Sequence, residues 1–449
     1  MISRGIIKEF KQYLILILSL TILFVLLKSL AYSLPSEPIK RNIEASTIQL
    51  EMEGTYPRVF YNTDRTEFTG QQLDNYTDAI FLDVAYNASD ISLFKAVFGD
   101  FRMLAEGETP VDRLINGIEN IKNGDTPEYG HYGRQWFGGE VVIRPLLLFF
   151  SYPQIRILMQ ISILVLLIIA GVSLYQAIGL NAMIAFIAGL LCINIVSVSS
   201  CINFANGILV ALVGTIIIAK FNYPVKNDTK AMFIVGACTA YMDLFAAPLI
   251  TYTILAQVLL MKRTKKQKFF WREGILYLIK ISIAWVAGYL ILWSMKWLLA
   301  SIALSSNFFA DAFSEMKLFS AGYKPSWGPD STLGLMKEAI KLNFTNLFPI
   351  NLIVGSKFGW LFWGLIFAVI TTLRIFRYKR VNLSLNYAWI ALVALAPYVW
   401  YLIIHSHSFV HYWFQYRIQA GTIIGIIFIW LEGTGKDDLI SSREKIAKI

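Results

Sequence analysis

Charge is scarce in this sequence. Only 16% of its 449 residues are Asp, Glu, Lys or Arg, whereas a soluble domain carries about a quarter. The deficit excludes an ordinary soluble fold, because 56% of the chain is hydrophobic and the mean hydropathy is +0.55. So much apolar surface cannot be hidden in one core and needs lipid as its solvent. Cysteine is also rare. Cys192, Cys201 and Cys238 lie in or beside apolar segments without metal-ligand spacing. An odd count of three excludes a disulfide framework that uses every cysteine. There is no internal repeat and no low-complexity tract. The formal net charge of +10 does not point to nucleic acid, since Lys and Arg collect in the cytoplasmic loops of membrane proteins.

What the chain has is long apolar runs. The first, 12–33, follows Arg4, Lys8 and Lys11 and is too long for the apolar part of a cleaved signal peptide. It reads as an uncleaved helix from which Lys28 snorkels outward. Further runs fall at 153–178, 180–198, 204–220, 231–246, 247–261, 274–300, 357–374, 384–404 and 417–432. Each is read by length against a hydrocarbon core about 30 Å thick. The expectation is an all-α polytopic membrane protein with about ten transmembrane helices.

Charge placement gives that expectation an orientation. With the N-terminus inside, the cytoplasmic segments hold Arg4, Lys8 and Lys11; Lys220, Lys226 and Lys230; Lys262 to Arg272; Arg374 to Arg380; and Lys436 to Lys448. The short external loops at 197–203, 246–248 and 405–416 hold no Lys or Arg. Both termini are therefore expected in the cytoplasm of a multi-pass plasma-membrane protein. The basic run Lys262–Arg272 reads as a solvated inner loop. The organisation is a first helix within 1–34, an external segment at 35–152, helices two to seven within 153–300, a second external segment at 301–356, and three helices with a tail over 357–449. Within 35–152 an amphipathic helix is expected at Val111–Lys122, and the short apolar run Ile143–Phe150 should lie in the interface or re-enter it.

Four groups of residues could carry chemistry. The first is Asp74, Asp78 and Asp83. A carboxylate at the membrane surface can deprotonate a hydroxyl or ligate a metal, while the competing reading is a helix cap. The second is His131, Arg134, Trp136, Glu140 and Arg144, where Arg suits a phosphate and aromatic rings suit sugar faces; interfacial anchoring uses the same residue types. The third is the intramembrane pair Asp243 and Lys296. Charges there are costly, and the two stand at one expected depth, where they pair with each other or hold a lipid phosphate and a sugar. The fourth is the run His405–Arg417, with His407, His411, Tyr412 and Arg417. His407 and His411 would share a helix face, but no Asp or Glu lies in the run to complete a metal set. It suits a phosphate and a sugar better, or else an aromatic belt. No cofactor is implied.

The order of one helix, a large external loop with acidic residues, an interfacial segment and then many helices resembles the GT-C fold glycosyltransferases. The runs Tyr76-Thr77-Asp78-Ala79, Tyr132-Gly133-Arg134, Ile143-Arg144-Pro145-Leu146, Met242-Asp243-Leu244, Ser294-Met295-Lys296-Trp297 and His411-Tyr412-Trp413 also look like those of bacterial multi-pass proteins associated with surface polysaccharides. The resemblance implies a polyprenyl-phosphate sugar donor, a surface polysaccharide or glycolipid acceptor, and an acidic catalytic residue in the first external loop. Asp78 matches that residue best, with Asp74 and Asp83 as rivals. Lys296, Arg144 and Arg417 would then face the phosphate. A transporter or flippase of lipid-linked saccharides, and a polymerase of polysaccharide repeats, are the alternatives.

Overall fold

A computed structural model describes residues 2–58, 70–266, 269–322, 325–347, 356–378 and 384–434. The basic residues expected at Lys268, Lys379, Arg380 and from Lys436 to Lys448 lie outside the described residues. About 79% of the chain is helical. Six helical stretches are long and apolar enough to cross a membrane: Gly5–Tyr32, Tyr152–Ala177, Ile202–Lys220, Trp271–Leu304, Leu385–Ile403 and Tyr412–Gly433.

The first helix, α1 (Ile2–Tyr32), contains no proline and turns a stripe of leucine and isoleucine outward. Leu14, Ile15, Leu18, Ile22, Leu26 and Leu30 are all exposed. In water such a stripe would be costly; in lipid it is the natural outer face. Residues 36–58 and 70–147 then form a cap at one end of the bundle. It contains α2 (Ser36–Glu53), α3 (Asn75–Asn87), α4 (Leu93–Gly99), strand β1 (Phe101–Met103), α5 (Pro110–Lys122), strand β2 (Tyr129–His131) and α6 (Glu140–Leu147). The strands pair antiparallel, with Phe101 opposite His131. α5 starts where Thr109 and Asp112 make a reciprocal capping box before Pro110, and it buries Leu114 and Ile118, as the amphipathic pattern requires. Much of the run expected at the interface, Ile143–Phe150, is a packed element of the cap. Ile143 and Leu147 are buried in α6, which also buries Glu140 and Arg144.

The chain continues through α7 (Tyr152–Ala177), α8 (Leu180–Cys192), α9 (Ile195–Ser199), α10 (Ile202–Lys220), α11 (Asp228–Met242), α12 (Leu249–Lys266) and α13 (Trp271–Leu304). The break expected at Ala247-Pro248 falls between α11 and α12, and that at 197–203 falls at the start of α10. Next come α14 (Phe308–Lys317), a π-helical turn at Leu318–Gly322, α15 (Thr332–Thr345), α16 (Ser356–Tyr378), α17 (Leu385–Ala394), α18 (Ala396–Ile403), α19 (His405–Val410), α20 (Tyr412–Gln415), a 3-10 turn at Tyr416–Gln419 and α21 (Ala420–Gly433).

Helices α1, α11 and α13 run parallel. Phe24 stacks on Tyr241 at 4.0 Å between ring centres, and Tyr13 meets Phe233 edge-on at 5.3 Å. α11 and α13 meet backbone to backbone. A Cβ on Gly236 would lie 2.1 Å from the Trp285 carbonyl oxygen, and one on Gly288 would lie 2.0 Å from that of Phe233. Small residues at a crossing allow this approach.

At the end away from the cap, the basic run is not solvated throughout. Lys262 and Arg263 are buried in the last turns of α12. Lys262 donates to the carbonyls of Ile218, Ala219 and Phe221 at 2.6, 3.2 and 2.9 Å, so it closes the C-terminus of α10. Arg263 makes two bonds to Asp228, at 2.9 and 2.7 Å, and Tyr277 adds a third at 2.8 Å. Cations complement the orphan carbonyls of a helix end, which explains why sequence alone mistakes these two residues for loop charges.

Candidate functional site

The acidic residues of α3 have three separate environments. Asp74 is the N-cap of α3 and accepts from the Thr77 amide at 3.1 Å. Its other oxygen accepts from the Asn203 side chain at 3.0 Å. Asp78, one turn on, is fully buried and caps a different helix. It accepts the Ile202 and Asn203 amides at 2.9 and 3.0 Å, which are orphan donors at the start of α10. The Tyr152 hydroxyl at 2.5 Å and the Cys201 thiol at 3.3 Å complete its shell. Asp83 accepts the Met103 amide at 3.1 Å and the Asn87 side chain at 2.6 Å, which ties α3 to β1. Burial raises all three carboxyls above their ordinary range, Asp74 to about 6 and Asp83 to about 7. The neighbouring Asp78 carboxylate pushes Asp74 in the same direction. A helix cap is therefore the observed position of Asp74 and, across the chain, of Asp78.

Arg417 approaches Asp74 from the other side of the cap end. Its guanidinium lies over the Phe204 ring at 4.2 Å. One terminal nitrogen donates to the Gly70 carbonyl at 3.3 Å and to the Ser197 hydroxyl at 3.0 Å. Its Nε and its other terminal nitrogen are buried with no hydrogen-bond partner among the described residues. The Asp74 carboxylate acts on this guanidinium electrostatically without an ion pair forming between them. The Asn203 side-chain oxygen beside Asp74 is likewise buried without a hydrogen-bond partner among the described residues.

An aromatic wall flanks these groups. It runs from Tyr76 to Tyr56, Trp413, Phe204, Phe414 and His411, with ring centres 6.1, 5.3, 5.9, 5.6 and 5.0 Å apart in turn. From His411 it passes to His407 at 4.6 Å, and His407 meets Phe245 and Phe319 at 5.3 and 4.7 Å. Tyr412 is half-buried at the start of α20. Burial, with His411 alongside, holds His407 well below the usual imidazole value, and burial pushes His411 down to about 4. Both rings are therefore neutral at pH 7. They offer hydrogen bonds to hydroxyl groups, not positive charge to a phosphate. Among the described residues, no group of three or more His, Cys, Asp or Glu could hold a metal ion.

The other expected residues lie elsewhere. Lys296 does not pair with Asp243, and Lys28 does not snorkel. Both lysines are fully buried and converge on Asp100, at 2.8 Å from Lys296 and 2.5 Å from Lys28. The Tyr32 hydroxyl donates to the same carboxylate at 2.7 Å, and Lys296 also donates to the Phe98 carbonyl at 2.9 Å. Asp243 instead accepts the Ala246 and Ala247 amides at 2.7 and 3.1 Å in the turn before α12. Arg144 is fully buried and donates to the carbonyls of Ala31, at 2.9 Å, and Ala85, so it fastens α6 to α1 and α3. The Trp136 indole donates to the Leu292 carbonyl at 2.7 Å. Arg134 pairs with Asp311 at 3.2 Å and Glu315 at 3.6 Å, and His131 lies exposed, edge-on to Phe308.

Asp100, Cys201, Asn203 and Tyr152 are the partners that sequence reasoning misses. A signal existed for the first, since two lysines in apolar helices demand a counter-charge. None existed for the rest, because their role comes from tertiary placement alone.

A nearly all-α, multi-pass membrane protein with a polar group and an aromatic wall at its cap end is what the fold and site define. Comparison with protein-family models, with curated proteins and with solved structures finds no match for this chain.

Proposed function

We propose that the protein is a ten-span GT-C-like glycosyltransferase of the plasma membrane. It moves a sugar from a polyprenyl-phosphate donor to a surface polysaccharide or glycolipid acceptor on the extracytoplasmic face, with both termini in the cytoplasm. One observation carries the reading. Asp74, Asn203 and the two unpartnered nitrogens of Arg417 lie together beside a wall of aromatic and neutral imidazole rings. An acid, a phosphate-binding cation and a sugar-stacking surface are the three chemistries that such a transfer requires.

In this mechanism the acceptor hydroxyl attacks the anomeric carbon as the bond to the phosphate oxygen breaks. The hydroxyl proton goes to Asp74, and the charge on the departing polyprenyl phosphate meets Arg417. Asp74 is preferred to Asp78 because each Asp74 oxygen accepts a single hydrogen bond and keeps lone-pair capacity, whereas the two oxygens of Asp78 share four donors, two α10 amides, Tyr152 and Cys201. Asp83 faces β1 and is excluded on the same ground. A base that titrates at about 6 is suited to proton transfer near neutral pH.

The test is transfer from a panel of radiolabelled polyprenyl-phosphate sugars by purified protein. Asp74→Asn should lower the rate by about 10²- to 10⁴-fold while the protein still elutes as a folded species. Full activity in that variant would overturn the choice of base. If the folded wild type transfers no sugar but proteoliposomes take up a lipid-linked saccharide, the transporter reading replaces this one.

A further inference from the structure

A second site lies at the opposite end of the bundle. The parallel helices α1 and α13 are drawn together near the cap by Lys28, Asp100 and Lys296. Towards their N-terminal ends they diverge and leave a cleft of about 900 Å³ floored by Thr229 and Phe233 of α11. Its walls are apolar, with Phe10, Leu14 and Ile17 from α1 facing Leu276, Ile283 and Ile291 from α13. From Glu273 to Ile291 it follows α13 for about 27 Å at 1.5 Å per residue. That is longer than one leaflet of a hydrocarbon core about 30 Å thick.

The mouth is charged. Glu9, Lys226, Glu273 and Lys280 line it, and all four are exposed. None of the four forms an ion pair with another residue of the described chain. Glu273 accepts only its own capping bond from the Phe270 amide, at 3.4 Å. Two cations and two anions around the opening of an apolar cleft complement a head group that itself carries both signs. A phosphate would lie between the lysines, and a primary ammonium would donate to the carboxylates.

We propose that this cleft binds one membrane phospholipid whose head group bears a phosphate and a primary amine, with an acyl chain between α1 and α13. The site is independent of the transferase reading, since it lies at the other end of the molecule.

The experiment measures lipid retained by the full-length protein after release from bilayers, by native mass spectrometry. The bilayers contain equal parts of phosphatidylethanolamine, phosphatidylglycerol and phosphatidylcholine. Phosphatidylethanolamine should be retained in preference to the other two. Lys226→Gln with Lys280→Gln should lower its retention about thirtyfold, in line with roughly 1 kcal/mol per lysine at a lipid surface. Lys8→Gln with Lys11→Gln removes the same charge from the same end outside the cleft and should leave retention unchanged. Glu9→Gln with Glu273→Gln should abolish the preference over phosphatidylglycerol. Equal retention of all three lipids, or equal loss in the two lysine variants, would overturn the site. A wild-type preference for phosphatidylglycerol would overturn the role of the amine.

Discussion

Asp100 receives two lysines and a tyrosine in a place sealed from solvent. Removing one partner of a buried pair costs about 3–5 kcal/mol, because the remaining charge is left uncompensated. Asp100→Asn should therefore lower the midpoint of thermal unfolding in detergent more than any substitution at Asp311, whose pairing with Arg134 is partly solvated. Asp78 tests a different cost. Asp78→Asn keeps an acceptor but loses the charge that meets the α10 amides, so about 1–3 kcal/mol of stability should go with it. Its loss of transfer should follow its loss of folded protein, whereas that of Asp74→Asn should not. The pH dependence of transfer separates the two further. With Asp74 as base, kcat/KM should fall about tenfold per pH unit below about 6.

Between elements, two features set the packing. The α11–α13 crossing has no room for a side chain, so Gly236→Ala or Gly288→Ala must push two backbones apart. Overpacking of this kind costs about 1–3 kcal/mol, and thermal unfolding of either variant should show it. The cap offers a linkage experiment through Glu140, whose oxygens are buried without hydrogen-bond partners among the described residues. Burial raises its carboxyl from 4.5 to about 8, against the opposing pull of Arg144. A carboxyl raised on folding stabilises the protein fully below its unfolded value, and that contribution is lost as pH rises through the folded value. Stability should therefore decline between about pH 4.5 and 8, and Glu140→Gln should flatten that part of the unfolding curve. An unchanged slope in the variant would remove Glu140 from the account.

For the whole molecule, periodicity and run length are legible because lipid imposes them. The helical breaks at Ala247-Pro248 and before Ile202, and the amphipathic α5, follow directly from pattern. The partners of charges do not. Lys28, Lys296 and Arg144 each stand out as charged residues in apolar runs, yet what each one bonds depends on elements far away in sequence. Capping explains much of the misreading. Asp78, Asp243 and Lys262 satisfy orphan backbone groups of helix or turn ends, and Asp78 and Lys262 serve helices to which they do not belong. Arg417 stands out in the sequence as a candidate; that two of its nitrogens have no hydrogen-bond partner among the described residues follows only from tertiary placement.

The shared carboxylate also sets an order of events during synthesis. Lys28 and Asp100 are 72 residues apart, but Lys296 follows Asp100 by 196. At about 5–20 residues per second, the ribosome needs roughly 10–40 s to make that second interval. For that time the nascent chain has one lysine for the aspartate, and α1 has no α13 to lean on. A chain truncated before α13 would leave Asp100 with a single cation, so release of such fragments should mark them for degradation, not for insertion as stable half-proteins.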